Sequence, residues 1–211
     1  MDSALDTLND RATSFIGQKA AQNGRHIFAI AGPPASGKST LAERVVTSLN
    51  QNHAGSAALV PMDGFHLDNS VLVQLGRLFR KGAPDTFDAY GLCNAVSALA
   101  QGGRDVFLPT FDREKDQALA GHLHVRQQTK IIVLEGNYLL LDDEPWNELR
   151  PFFTGSIFLA PAIETLEHRL KCRWKGLGFS EEEADQKTYG NDMVNARLVL
   201  ENSIPADLIL A

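Results

Sequence analysis

The sequence predicts an α/β fold with a central parallel sheet flanked by helices. Three observations carry that reading. Short, nearly continuous apolar runs recur along the chain, the pattern of strands buried on both faces. Between most of these runs apolar residues repeat at helical spacing, so strands and helices alternate. A glycine-rich loop joins the first apolar run to the helical pattern after it.

Leu5–Ala20 is predicted as an amphipathic helix, with Leu5, Leu8, Ala12, Phe15 and Ile16 on one side, within an N-terminal helical segment over residues 1–22. His26–Ala31 (HIFAIA) reads as a buried strand, and Leu41, Ala42, Val45, Val46 and Leu49 then recur at helical spacing. Ala57–Met62 is a second strand. Asp88–Gln101 reads as helix, with Gly102-Gly103 as its stop signal. Val106–Leu108 and His122–Val125 are two short strands, and Ile131–Glu135 is the most strand-like segment of the chain. Ile157–Ala160 is another strand, followed by a helix from Ala162 to about Trp174. Glu181–Asn202 reads as one helix and Leu208–Leu210 as a final strand. No internal repeat, low-complexity tract or Pro/Gly/Ser-rich linker divides the chain, so residues 1–211 are expected to form a single domain.

Composition narrows the function. The 211 residues are 44% apolar, which excludes a disordered chain. Twenty Lys and Arg against twenty-six Asp and Glu give a net charge of −6. A general nucleic-acid binder needs the opposite sign to displace counterions from phosphate, so no nucleic-acid partner is expected. Cys93 and Cys172 are expected as reduced thiols packed as small apolar groups. Met1 to Asp10 lacks the basic start and apolar run of a signal peptide. The longest apolar stretches, Ile131–Leu134 and Tyr138–Leu141, fall far short of the roughly 20 residues a membrane helix needs. A soluble cytoplasmic protein without a membrane partner is the expectation.

The most informative stretch is Gly32-Pro33-Pro34-Ala35-Ser36-Gly37-Lys38-Ser39, followed by Thr40, which fits the phosphate-loop pattern. Glycines let successive backbone N–H groups curl around phosphate oxygens, and the following helix points its positive end at the same anion. Lys38 supplies a mobile cation for the β- and γ-phosphates, and the Ser39 hydroxyl is a hard ligand for Mg²⁺. Strand before and helix after are the context the motif requires. The fold class is therefore that of the three-layer P-loop NTPases, and the expected cofactors are a nucleoside triphosphate and Mg²⁺. Glu135, after four apolar residues, falls at the C-terminal end of a buried strand, the edge where ligands lie in open α/β sheets. It is a candidate second acid for the metal.

A phosphate loop specifies nucleotide binding and leaves the reaction open. No Asn-Lys-x-Asp base-reading motif of a guanine-nucleotide switch is present, and Asp88-Ala-Tyr-Gly91 matches a DxxG pattern without an apolar strand before it. A kinase of a small alcohol needs a general base, an acceptor pocket and a cationic lid. The base candidate is Asp63, in Pro61-Met62-Asp63-Gly64-Phe65-His66 at the end of the second strand, although Asp-Gly is also a standard turn pair. It is also a candidate to reach the metal through water. The lid candidates are Arg169 and Arg173, on one flank of a stripe formed by Ile163, Leu166, Leu170 and Trp174. Ala162–Lys175 holds four basic and two acidic residues, with Gly176 and Gly178 as hinges; a solvated basic face has the same pattern.

GPPASGKST, MDGFHLDN, RKGAPDTFD, LPTFDR and VLEGNYLLL together resemble the P-loop kinases of the uridine kinase, pantothenate kinase and phosphoribulokinase group. Within it the chain looks most like short bacterial members carrying a fructose transport system kinase or uridine kinase-like label, and the likeness runs from about Ile27 to Leu210. The resemblance implies that Asp63 is the base, that Glu135 supports the metal and that Arg169 and Arg173 clamp the phosphates. It places Lys81, Pro84, Phe87 and Asp88 on the acceptor side, with Phe65, His66, Asp112, Arg113 and Tyr138. It sets Asn195, with Asn191 and Asp192, near the adenine, and it favours ATP over GTP. Uridine kinases carry a Tyr-Asp-Phe where this chain has Phe111-Asp112-Arg113, and the Tyr-Ser-His of pantothenate kinases is absent. Arg113 either pins an anionic group on an acceptor or pairs with Asp112 or Asp116. The expected activity is ATP-dependent transfer to a hydroxyl of a small polar metabolite such as a sugar, nucleoside or pantothenate-like alcohol. The alternatives are an NTPase and a non-catalytic nucleotide-binding regulator. Homodimers are the commonest assemblies in general, and the sequence does not specify this chain's oligomeric state.

Overall fold

Five apolar runs assemble into one parallel sheet in the computed structural model, which describes residues 2–20, 24–51 and 55–211. They are β1 (His26–Ala31), β2 (Ala57–Pro61), β5 (Ile131–Gly136), β6 (Gly155–Leu159) and β7 (Leu208–Leu210), in the order β2-β5-β1-β6-β7. β1 lies at the centre, with Phe28 opposite Val133 on one side and Ile30 opposite Ile157 on the other. Alternate residues of a strand point to opposite faces, and β1 shows the consequence. Phe28 and Ile30 pack with Ala12 and Ile16 of α1 (Asp2–Lys19) and with Leu41, Ala42 and Val45 of α2 (Lys38–Asn50). Ile27, Ala29 and Ala31 face the other layer, where Leu92, Val96 and Leu99 of α4 (Ala89–Gln101) join Tyr138, Trp146 and Leu149. A parallel strand buried on both faces must be apolar throughout, which is why HIFAIA does not alternate.

Parallel strands put all their C-terminal ends on one edge. The segments leaving β1, β2 and β5 therefore converge, and they carry Gly32, Asp63 and Glu135. A third apolar cluster, Leu166, Leu170, Met193 and Ala196, fastens α5 (Ile163–Gly176) to α7 (Met193–Asn202) over that edge.

The structure departs from the sequence reading in four places. The two short strands expected near 106 and 122 are longer, β3 (Val106–Asp112) and β4 (Gln117–Val125), and they pair antiparallel in a ribbon outside the main sheet. No helix separates them, so they form a hairpin instead of a crossover. Pro109 has no N–H for the ladder, and the register shifts between Leu108 and Thr110. The single helix expected over 181–202 is α6 (Glu181–Lys187), a π-helical turn (Thr188–Asp192) and α7; Thr, Tyr, Gly, Asn and Asp are all weak helix formers. The sequence reading missed α3 (Asn69–Gln74), which begins where the Asp68 side chain accepts from Ser70 N. Cys93 is buried with its thiol pushed up to about 11 by desolvation, whereas Cys172 is exposed on α5 with its sulfur 3.6 Å from His168 Nε2. The limits of the expected N-terminal segment, Met1 and residues 21–22, lie outside the described residues. No helix among the described residues is long and apolar enough to cross a membrane.

Arg25 locks the entry to β1. Its guanidinium donates to four carbonyls, those of Leu99, Arg126, Gln127 and Thr129, at 2.7–3.0 Å. It joins the end of α4 to the β4–β5 connection. Arg25→Ala leaves those carbonyls without their donor and is expected to cost about 2–3 kcal/mol in urea unfolding. A cost below about 0.5 kcal/mol would show that water replaces the guanidinium freely.

Candidate active site

The loop after β1 turns back on itself and opens α2. Gly37 caps that helix in the left-handed conformation, φ 94°, with no side chain covering the free N–H groups behind it. A Cβ on Gly32 would lie 2.6 Å from the Leu159 carbonyl oxygen, so only glycine lets the loop pass the end of β6. These amides and the helix end make an anion seat. Lys38 stands beside it. Burial lowers the Lys38 ammonium pKa, while the Glu135 and Asp63 carboxylates push it back up.

Glu135 is 5% exposed at the end of β5. Its Oε1 accepts from Ser39 Oγ at 3.2 Å, and its Oε2 is buried with no hydrogen-bond partner. Burial pushes the Glu135 carboxyl upward and the Lys38 charge opposes it. An unpartnered buried carboxylate oxygen beside a serine hydroxyl is an all-oxygen set suited to Mg²⁺, which binds few protein groups and keeps water and phosphate ligands. The residues present therefore fit the metal that a phosphate-loop site implies.

Asp63 enters from β2 through a tight 3-10 turn, Met62–Phe65. A Cβ on Gly64 would lie 2.2 Å from the Pro109 carbonyl oxygen, so the turn is pressed directly against β3. That contact fixes where the Asp63 carboxylate points. Gly64→Ala is expected to push the turn off β3, cost about 3 kcal/mol, and cut turnover by at least about 100-fold through misplacement of Asp63. Full activity in this variant would show that the turn does not position the carboxylate.

His66, three residues after Asp63, faces the cleft too. His66 Nδ1 lies 2.8 Å from the Asp63 carbonyl, and its ring packs 4.0 Å from Phe87 and 4.5 Å from Phe111 between centroids. Burial lowers its pKa and favours the neutral ring. Arg113, at the hairpin tip, donates to Asp63 Oδ2 at 2.7 Å. The acids expected as its partners are taken: Lys115 pairs with Asp112 and Lys81 with Asp116. Lys81 also donates to Asn69 Oδ1 and lies 5.0 Å from the Phe111 ring centroid.

Across the cleft, Arg169 Nη1 donates to the Ala35 and Ser36 carbonyls at 3.2 Å, which latches α5 to the phosphate loop. Arg173 pairs with Asp192 at 3.3 Å, and Trp174 Nε1 donates to the same carboxylate at 2.6 Å. The π-helical turn delivers Asp192 to them. Burial raises the Asp192 carboxyl pKa and Arg173 holds it down.

These groups line one cleft of about 1050 Å³. It brings together Pro34, Ala35, Gly37, Lys38, Ser39, Thr40, Asp63, His66, Lys81, Phe87, Arg113, Glu135, Arg169, Arg173 and Asn195 from the sequence-predicted set. Gly32, Pro33 and Ser36 are buried in the loop itself. Five expected acceptor residues fall outside the cleft, and each has another task; Pro84 opens a 3-10 turn, Pro84–Thr86. Phe65 is buried in the core. Tyr138 is fully buried against Phe87 and Trp146, its hydroxyl donating to the Gly82 carbonyl. Asp88 caps α4 by accepting from Gly91 N at 2.8 Å, which also accounts for the Asp-Ala-Tyr-Gly pattern. Asp112 accepts the Glu114 and Lys115 backbone N–H groups at the hairpin turn. Asn195 lines the cleft with Asn191 and Asp192. Its amide donates to Asn191 Oδ1, and Asn191 donates to the Lys81 carbonyl, so the pair braces the acceptor-side loop.

The sequence reading missed Phe111, Asn137, Trp174 and the apolar lip Leu78–Phe79 as cleft residues. Phe111 carried a signal, since it precedes Asp112 in the quoted LPTFDR segment. Phe79, 84% exposed, sits in a 3-10 turn with no periodicity to reveal it.

No family model matches the chain. It is 31% identical over 219 aligned residues to a Schizosaccharomyces pombe protein named "Putative uridine kinase C227.14", covering 99% of this chain and 90% of that one. It is 35% identical to the uncharacterized Escherichia coli protein YggC, over 88% of this chain and 77% of that one. Among solved structures, one described as a "putative fructose transport system kinase" from Silicibacter sp. TM1040 superposes with a TM-score of 0.90 at 39% identity, covering 97% of this chain and 98% of that chain.

Proposed function

Because the chain belongs to the uridine kinase-like family of P-loop kinases, we propose that it transfers the γ-phosphate of ATP to a hydroxyl of a small polar metabolite, of the class of a sugar, a nucleoside or a pantothenate-like alcohol. The observation that carries this reading is the convergence of a candidate base, Asp63, with Lys38, Ser39 and Glu135 at one sheet edge.

The loop amides and Lys38 bind the phosphate chain. Ser39 and Glu135 would hold Mg²⁺, which when bound would neutralise negative charge on the phosphates. Asp63 accepts the proton of the acceptor hydroxyl as its oxygen bonds to the γ-phosphorus and the bond to the β–γ bridging oxygen breaks, leaving ADP. Arg169 and Arg173 stand on the far wall, where closure of α5 brings them over the transferred group and excludes water.

An ATP-consumption screen against sugars, nucleosides and vitamin-like alcohols tests this. Stimulation of ADP formation by an alcohol, with one phosphorylated product per ADP, is the expected result. Hydrolysis that no alcohol stimulates identifies an NTPase instead, and tight binding without turnover identifies a regulator.

A further inference from the structure

The cations lining the cleft among the described residues differ in what holds them, and Lys187 lies over the Trp174 and Phe179 rings. Lys81 is held by Asp116 and Asn69, Arg169 by two loop carbonyls, and Arg173 by Asp192. Lys38 stands at the phosphate seat. Arg113 alone among them is paired with the candidate base. Its side chain is 72% exposed, against 25% for Asp63. A guanidinium at 2.7 Å occupies Asp63 Oδ2, one of the two oxygens that could reach an acceptor hydroxyl. So exposed a pair is weakly held and easily exchanged.

Resting on the kinase reading, we propose that the acceptor carries an anionic group, a carboxylate or a phosphate, near the hydroxyl that is phosphorylated, and that this group takes Arg113 from Asp63. Asp63 is then free to receive the hydroxyl proton. The acceptor's charge both orients it by a planar, bidentate contact and releases the base. A neutral acceptor leaves the Arg113–Asp63 pair in place, and any attack then proceeds against a blocked carboxylate. The neighbouring walls, an imidazole that burial shifts toward its neutral form, two aromatic rings and an ammonium already paired with Asp116, offer such a group no other unpaired charge, so its selection falls to Arg113.

The test is calorimetry with Mg-ADP present, using matched probes: glycerate against glyceramide, gluconate against glucose, and glucose 6-phosphate against glucose. The expected result is that at least one anionic probe binds roughly 10- to 100-fold more tightly than its neutral partner, the range of one charge-assisted contact. Arg113→Gln should erase that preference by weakening the anion alone. The first two pairs report a carboxylate and the third a phosphate. Equal binding of neutral and anionic partners overturns the proposal. So does an equal loss for both in Arg113→Gln, or a panel in which no anion distinguishes wild type from the variant. Loss of Mg-ADP binding in the wild type sinks the kinase reading instead. Mg-ADP binding with indifference to acceptor charge sinks this inference alone.

Discussion

Lys38→Ala is expected to lower kcat by about 1000-fold. Removing a single donor that stabilises developing charge already costs about 100- to 1000-fold, and Lys38 has a second task. Its charge is the largest influence opposing the upward push of burial on Glu135. Without it, the Glu135 carboxyl rises further and holds its proton to higher pH, so Mg²⁺ meets a neutral ligand more often. The sign follows from the direction of the shift: a raised carboxyl loses its charge as pH falls, and the variant should therefore need more Mg²⁺ at pH 6 than at pH 8. Steady-state rates at saturating ATP, with a magnesium titration at both pH values, measure both effects. Activity within tenfold of wild type would remove Lys38 from the transfer step.

Asp63→Asn is expected to separate binding from chemistry. The amide keeps the shape of the side chain and cannot accept a proton, so transfer should fall by about 100- to 10,000-fold, the range for loss of a positioned general base. Mg-ATP affinity should stay within about threefold, because the phosphate seat is made by the loop amides, Lys38 and Ser39. Calorimetry and single-turnover measurements on the same preparation distinguish the two. Asp63→Asn with more than about a tenth of wild-type turnover would leave the base unassigned.

Much of this site was legible because it lies in local patterns. Gly32 to Thr40 carries its own loop geometry, and the apolar runs before Asp63 and Glu135 place both at strand ends, where a parallel sheet gathers them. Arg169 and Arg173 were legible through the period of the helix that bears them. Residues whose neighbours are distant in sequence were not legible in the same way. Tyr138 and Phe65 belong to recognisable motifs, yet packing turns them into the core. Asp88 has an acceptor-side motif position and is used as a helix cap. Asn195 resolves through contacts that run to Lys81, more than 100 residues away in the chain.

The amino-acid order alone determined the α/β class, the phosphate loop and the sheet edge that holds the chemistry, because strand burial, helix period and loop conformation are properties of neighbouring residues. Only the tertiary structure decided that the β3–β4 ribbon stands outside the sheet, and that its tip sets Arg113 against Asp63 across 50 positions of sequence. The partner of a charged side chain is fixed by which segments the core brings within a few ångströms, and no local period encodes that distance.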